Sequence, residues 1–196
     1  MNEGAGGYHP PGAMTSSDAA DSTDGSPVER ARDAVAEEKR EYEGDRDRPL
    51  GGFLAVAATY AAAVTGGAVV LRRRRQALPE RVAAADLALV TVATHKLSRL
   101  LAKDPVTSPL RAPFTRYEGM SGPAELAEKV RGTGLRKAVG ALVTCPFCLA
   151  VWVATAFVFG LVVAPRATRL AASVLTAVAG ADVLHLAYSA LEEKVS

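Results

Sequence analysis

The sequence predicts an all-α fold, a polytopic membrane helix bundle of four transmembrane helices that follows a polar N-terminal tail. Of the 196 residues, 49% are hydrophobic, and most of these lie in long blocks after residue 49. Aromatic residues make up only 6% of the chain, so Ala, Val and Leu supply most of the apolar surface. This composition suits lipid-facing helices better than a water-soluble core. The four predicted spans lie near residues 50–71, 82–101, 138–164 and 170–191.

Residues 1–49 form a charged tail, which we expect to be a region separate from the helix bundle of residues 50–196. Gly, Pro, Ser and Asp dominate residues 1–27, which offer little to bury and are predicted to be disordered. Residues 28–43 contain strong helix formers with charges of both signs, which predict a solvated helix. No cleavable signal peptide is evident, so the first apolar block is expected to act as an uncleaved anchor.

The first two predicted spans differ in the number of charged residues that they contain. Residues 50–71 carry no charge and would extend about 33 Å as a helix, enough for a hydrocarbon core of about 30 Å. Residues 82–101 are interrupted by Asp86, Lys96 and Arg99. A re-entrant or interfacial helix is the alternative for this segment, and it would leave three spans in place of four.

The second half of the chain contains a polar connection and two further spans. Residues 102–137 hold three prolines in their first half, and residues 125–130 are predicted to form a short helix. Residues 138–164 carry no charge and form the longest predicted span, and residues 170–191 form the last one. With four spans, the tail, the polar connection and the C-terminus all lie on one side of the membrane.

The distribution of Lys and Arg predicts which side that is. The tail, the polar connection and the C-terminus carry fourteen of these residues, and the opposite side carries seven. The positive-inside rule therefore predicts a multi-pass protein of the cell membrane with a cytoplasmic N-terminus. Five arginines at positions 72–75 and 81 oppose this arrangement, because they would have to cross the membrane. A three-span protein that keeps them inside would place the tail outside.

The chain's only two cysteines, Cys145 and Cys148, are the best candidates for chemistry, because helical spacing directs both thiols toward one patch of space. In the four-span arrangement they share a leaflet with His95, His185 and Asp182. Two Cys and two His are a ligand set for tetrahedral zinc, so these four residues are a candidate metal site. Asp182 lies one turn before His185 and is expected to orient its imidazole. Packing of the thiols and redox catalysis are the alternatives.

The sequence favours a structural or interaction role in the cell envelope over an enzyme. It contains no Walker-type Gly-rich loop, no G-x-S-x-G and no H-E-x-x-H motif, and no residue is predicted to be catalytic. A net charge of +2 is too small to indicate nucleic-acid binding. The expected partners are the lipid bilayer and either further copies of the chain or other membrane proteins. Zinc at the cysteine pair is the candidate cofactor.

Two segments of the second half carry a distinctive combination of residues. Residues 94–114 read THKLSRLLAKDPVTSPLRAPF, and residues 142–148 read LVTCPFC, with Trp152 shortly after. Over roughly residues 86–191 the chain resembles the bacterial membrane-protein family known as the domain of unknown function number thirteen-sixty. The resemblance implies a bacterial membrane protein without an assigned reaction, and some relatives occur in spore-forming bacteria.

Charged residues of the first segment are expected to form a polar cluster at the membrane surface. Its predicted members are Arg99, Asp104 and Arg111, with Asp182 from the last span. Such a cluster would clamp residues 102–114 against the start of the cysteine-bearing helix. The alternative is a set of solvated charges that anchor the helix ends at the interface. Trp152 is expected to be a packing residue.

Overall fold

The computed structural model describes residues 26–43 and 48–195, which belong to two units, Met1–Asp45 and Arg46–Ser196. The first unit is described by a single helix, α1 (Pro27–Glu43). The Ser26 hydroxyl accepts from the Glu29 N–H at 3.2 Å, and the Glu29 carboxylate accepts from the Ser26 N–H at 2.7 Å. This reciprocal capping box explains where the helix predicted over residues 28–43 begins. The disorder predicted for residues 1–27 falls almost entirely outside the described residues.

The second unit is mostly helical and contains one β-hairpin. Its elements are α2 (Leu50–Arg73), α3 (Ala84–Lys103), a 3-10 turn (Pro105–Thr107), α4 (Ser108–Arg111), β1 (Thr115–Gly122), β2 (Glu125–Val130), α5 (Gly134–Thr144), α6 (Pro146–Val163) and α7 (Pro165–Val195). Among the described residues, α2, α6 and α7 are the three helices that are long and apolar enough to cross a membrane. The helix α3 occupies the place of the second predicted span, but its charged residues lower its hydropathy, and the count of four spans stays a prediction.

The short helix predicted over residues 125–130 is wrong, because this segment forms strand β2. It pairs antiparallel with β1, from Thr115 opposite Val130 to Gly122 opposite Glu125. Only Pro123 and Ala124 connect the strands, and Ala124 adopts a left-handed conformation with φ of 55°. A tight turn that starts with Pro therefore overrides the helical preference of the residues that follow it. The fold is mostly helical, as predicted, but it is not purely α.

The longest predicted span, residues 138–164, is also wrong as a single helix. The helix α5 ends at Thr144 and α6 begins at Pro146, with Cys145 in an extended conformation between them. Pro146 has no N–H to continue the helical hydrogen bonds, and its ring disfavours helical geometry at the residue before it. The two cysteines therefore lie at the first turn of a long apolar helix instead of two turns inside one.

The contacts between α3 and α7 show that these helices run parallel. Three contacts follow the same order along both helices: Asp86 with Arg169, the Leu89 carbonyl with the Thr176 hydroxyl, and Lys96 with Asp182. Between α6 and α7 the only linking residue is Ala164, and Gly160 of α6 lies against Thr168 of α7. The chain therefore reverses at this point, and α6 runs antiparallel to both α7 and α3.

The helix α2 runs parallel to α6. Its Tyr60 hydroxyl is hydrogen-bonded to the Thr155 hydroxyl at 2.8 Å, and further along both helices Gly67 lies against the ring of Phe159. The aromatic rings of Tyr60 and Trp152 meet edge to face, with centroids 5.1 Å apart, so Trp152 is a packing residue, as expected from the sequence. At its N-terminal end α2 contacts α5, where Gly52 lies against Gly134 and Ala138.

The core of the second unit is a narrow apolar seam between α3, α6 and α7. It consists of Val90 and Ala93 from α3, Val153 and Phe157 from α6, and Ala172 from α7. Many large apolar side chains of the long helices point away from this seam, among them Leu54, Val174 and Leu184, which is 71% exposed. Lipid can cover such apolar side chains without the free-energy cost of exposing them to water. It can also surround the helix backbone, because each helix satisfies its own backbone hydrogen bonds.

The paired glycines at the start of α2 allow a direct test of this packing. A Cβ atom at position 52 would lie 2.7 Å from the Gly134 carbonyl oxygen, whereas one at position 51 would meet nothing within 4 Å. We expect Gly52→Ala to lower the free energy of unfolding by about 1–3 kcal/mol, because backbone atoms cannot move aside easily. The matched control Gly51→Ala should be neutral or stabilising by up to about 1 kcal/mol, because Ala is the better helix former.

Thermal unfolding of both variants in the same detergent is the measurement. Equal transition temperatures for Gly52→Ala and Gly51→Ala would contradict the close approach of α2 to α5.

Candidate functional site

Residues 104–130 fold into a compact segment between α3 and α5, which we call the cap. It begins at Asp104, whose carboxylate accepts from the Val106 N–H at 2.8 Å and thereby caps the 3-10 turn. The Thr107 hydroxyl donates to the Leu100 carbonyl at 2.6 Å. The Leu100 carbonyl also accepts from the Asp104 N–H at 3.2 Å, so the Thr107 hydroxyl is its second donor and ties the 3-10 turn to the end of α3.

The guanidinium of Arg111 lies at the centre of the cap, and this residue is only 1% exposed. Its hydrogen-bond acceptors are the Leu101 carbonyl at 2.8 Å, the Thr107 hydroxyl at 2.6 Å, the Asp104 carbonyl at 3.0 Å and the Glu128 carboxylate. The Glu128 side chain is 6% exposed, and its second oxygen accepts from the Thr115 hydroxyl at 3.1 Å. A buried ion pair with this many additional hydrogen bonds has its desolvation cost well compensated.

The helix α5 supports the other side of the cap. Gly140 of α5 lies so close that a Cβ atom there would be 2.6 Å from a Val130 methyl group and 3.1 Å from the Phe114 carbonyl oxygen. The guanidinium of Arg136 donates to the Pro113 carbonyl, at 2.9 Å from Nε and 2.5 Å from Nη2. The cap is therefore held between the end of α3 and the face of α5.

Arg99, Asp104 and Asp182 of the predicted polar cluster all line one groove between α3, α7 and the hairpin turn, but their charged groups do not pair with one another. Arg99 forms an ion pair with Glu125 at the start of β2, and Asp182 forms an ion pair with Lys96 at 2.5 Å. Asp104 contacts Arg111 through its backbone carbonyl while its carboxylate caps the 3-10 turn. This clamp of charges joins the cap to the end of α3, while Pro113 and Phe114 of the cap contact Arg136 and Gly140, near the start of the cysteine-bearing span predicted over residues 138–164.

Sequence reasoning missed the two acidic partners in this clamp, Glu125 and Glu128. Both lie in the short helix predicted over residues 125–130, and nothing in that prediction indicates that one of them is buried. Had residues 125–130 been assigned to a strand, β2 would have been placed beside Thr115 and Arg111. A buried arginine needs an acidic or polar partner, so Glu128 could then have been identified.

A groove of about 950 Å³ lies between α3, α7 and the turn of the hairpin. His95, His185 and Asp182 all line it, so the structure does bring these three predicted residues to one place. The Asp182 carboxylate was expected to orient the His185 imidazole. In the structure it accepts a hydrogen bond from the Lys96 ammonium group instead. Neither Cys145 nor Cys148 lines the groove.

The two cysteines form a pair of their own at the corner between α5 and α6. Both are free thiols, and their Sγ atoms are 2.7 Å apart. Within residues 26–43 and 48–195, no group of three or more His, Cys, Asp or Glu side chains is placed to hold a metal ion. The zinc site of Cys145, Cys148, His95 and His185 therefore stays a prediction that the described residues do not assemble.

The buried pair of the cap can be tested by a double-mutant cycle on Arg111→Ala and Glu128→Ala. We expect either substitution to lower the free energy of unfolding by about 3–5 kcal/mol, because each leaves the other charge buried without its partner. The double variant should then lose less than the sum of the two, with a coupling of at least about 1 kcal/mol. Chemical unfolding in detergent micelles measures all three.

The control is the exposed pair of Glu118 and Lys129, whose charged atoms are 3.9 Å apart and whose side chains are 54% and 74% exposed. The same cycle on this pair should give a coupling within about 0.5 kcal/mol. A coupling for Arg111 and Glu128 as small as that of the control would show that the cap does not depend on this ion pair.

Comparison with known proteins places most of this site in a shared region. The family described as "Protein of unknown function (DUF1360)" matches residues 89–188, which contain most of α3, the cap, α5, α6 and most of α7. The chain is 32% identical over 86 residues to "Sporulation protein YjcA" of Bacillus subtilis (strain 168), covering 42% of this chain and 73% of that protein. No solved structure matches the chain.

Proposed function

This chain belongs to the DUF1360 family of proteins of unknown function, as its resemblance indicated, and we propose that it is a multi-pass protein of a bacterial cell membrane with an interaction role. In this proposal the helices anchor the cap at one membrane surface, where it contacts other proteins of the cell envelope. The observation that carries the proposal is the buried pair of Arg111 and Glu128, which fixes the cap on the helix ends.

A connection that only links two membrane helices has no need for such a built structure. A flexible polar loop would satisfy its backbone with water, whereas the cap buries an ion pair and pairs two strands in a hairpin, which keeps it in one shape. The hairpin presents Tyr117 and Met120 at its surface, and these are 64% and 56% exposed. Aromatic side chains and methionine are enriched at protein interfaces, and a two-stranded hairpin also offers free strand edges for pairing.

The comparisons support the setting of this proposal. The relative's name assigns that protein to sporulation, and an envelope role for this chain agrees with it without naming a partner. The three long apolar helices support a location in a membrane.

Within this proposal α3 is a fourth span. It has 20 residues, about 30 Å as a helix, and packs along α6 and α7 through Val90 and Ala93. Its charge at Asp86 is paired with Arg169 through two bonds of 2.7 Å, and its charge at Lys96 is paired with Asp182. Charges that are neutralised by a neighbouring helix cost less to hold in a bilayer than isolated ones.

With α3 as a fourth span, the cap, the start of α2 and the end of α7 lie on one side of the membrane. We propose that this side is the cytoplasm, because the cap, α5 and the tail carry most of the Lys and Arg outside the spans. Arg72 and Arg73 belong to the last turn of α2, so they can extend from the helix end to the opposite surface.

Labelling of single cysteines tests this arrangement. In a chain with Cys145→Ala and Cys148→Ala, a membrane-impermeant maleimide should label Gln76→Cys on intact cells, because this residue lies between α2 and α3 on the outer side. It should label Tyr117→Cys only after the membrane is permeabilised. Labelling of both positions from the same side would show that α3 does not cross, and labelling of Tyr117→Cys alone on intact cells would reverse the orientation.

Photo-crosslinking in cells tests the interaction role. A photoreactive amino acid at Met120 should give a discrete protein adduct, because the cap presents this residue to a partner. The same group at Val174, on the outer face of α7, is the control and should crosslink lipid. Introducing Glu128→Ala should abolish the Met120 adduct while the protein remains in the membrane. An adduct that survives Glu128→Ala, or no protein adduct at all, would contradict an interaction through the fixed cap.

A further inference from the structure

The pair of cysteines at the start of α6 takes no part in the cap or in the groove. Cys145 is the residue that precedes α6, and its Sγ accepts a hydrogen bond from the Cys148 N–H at 3.3 Å. This bond holds the Cys145 sulfur over the first turn of the helix. The Cys148 sulfur lies 2.7 Å away from it, whereas the sulfurs of a disulfide are about 2.05 Å apart. The two thiols are therefore arranged so that a bond between them needs only a small movement.

The break between α5 and α6 is what creates this arrangement. Had residues 138–164 formed one helix, both thiols would have lain within a span, surrounded by lipid and neighbouring helices. Because Pro146 starts a new helix, Cys145 lies outside it and Cys148 lies in its first turn. Cys148 is exposed and Cys145 is half-buried.

The two cysteines lie near the end of the helix bundle, where compounds in the water at the membrane surface can reach them. The parallel helices α2 and α6 are level where Tyr60 meets Thr155. Seven residues earlier on each helix, Cys148 is level with Phe53, three residues after the first residue of α2. At 1.5 Å per residue this is about 4.5 Å from the start of α2, which is close to the headgroups.

We propose that Cys145 and Cys148 form a dithiol site that exchanges with the disulfides of small thiol compounds. The exposed Cys148 sulfur, as a thiolate, attacks one sulfur of the disulfide and forms a mixed disulfide, and the first thiol leaves with the proton that Cys148 lost. Cys145, as a thiolate, then attacks the Cys148 sulfur, forms the intramolecular disulfide and releases the second thiol, which takes the proton of Cys145. Two protein thiols are oxidised and one disulfide is reduced to two thiols.

The oxidised form would tie the corner between α5 and α6 to the first turn of α6. Because α5 carries Gly140 against Phe114 and Val130 of the cap, this corner is joined directly to the surface that the cap presents. The site itself does not require the interaction role, so the two proposals can fail separately.

The test uses the full chain in lipid nanodiscs with glutathione disulfide as the probe. Wild type should lose both maleimide-reactive thiols, retain no glutathione and remain a single chain by intact mass. Cys145→Ser should retain one glutathione on Cys148. Cys148→Ser should react at least about fivefold more slowly than Cys145→Ser, because exchange depends on access to the attacking sulfur.

Emission from Trp152, the single tryptophan, reports whether the packing of α2 on α6 is kept in each variant. The proposal is overturned if wild type keeps both reactive thiols, retains glutathione, or forms disulfides only between chains. Equal reaction rates of the two serine variants would overturn the assignment of Cys148 as the attacking sulfur.

Discussion

The guanidinium of Arg111 must find partners wherever it is buried, and this requirement organises the part of the molecule outside the long helices. A buried cation without acceptors would cost several kcal/mol, which is a large share of the stability of a small domain. Its acceptors come from the end of α3, the 3-10 turn and β2. Elements that are far apart in the sequence are thereby fixed in one arrangement, and the hairpin and α5 pack around it.

The same rule governs the helices, where the medium is lipid instead of protein. Charges on α3 would be expensive in a bilayer if they stood alone. Each of the two that lie toward α7 has an opposite charge on that helix, Arg169 for Asp86 and Asp182 for Lys96. The pairs also set the register between the two helices, so they specify the arrangement of a bundle whose apolar seam is narrow. In both regions the polar contacts fix the position of one element relative to another. The apolar side chains are less specific, because they favour any arrangement in which the helices pack together or face lipid.

This division explains what the sequence could and could not predict. Runs of Ala, Val and Leu are sufficient to locate the apolar parts of α2, α6 and α7, but not the start of α6, because hydropathy depends on composition and not on backbone geometry. The break at Pro146 and the hairpin turn at Pro123 were missed, since each depends on a local backbone preference that a span-length pattern hides. The partners of Arg111 were missed for a different reason. Glu128 becomes a buried acid only after the strand is formed, and no spacing in the sequence connects the two residues.

The candidate site was predictable to a similar degree. Helix order alone brought His95, His185 and Asp182 to one groove, which the structure shows. The cysteines were expected to join them, but the break before α6 moves the thiols to a corner of their own. The prediction that these residues share a leaflet counted positions along one continuous helix through residues 138–164, so the break before Pro146 changes the position of both thiols.

Hydrogen exchange in lipid nanodiscs tests the central claim most directly, which is that Arg111 holds the cap in a single rigid form. We predict slow exchange for the paired amides of β1 and β2 in wild type. In an Arg111→Lys variant, exchange in these strands should accelerate while the amides of α6 keep their protection, because an ammonium group cannot replace the fork of guanidinium bonds. Rapid exchange of the hairpin in wild type, or unchanged protection of the hairpin in the variant, would contradict it.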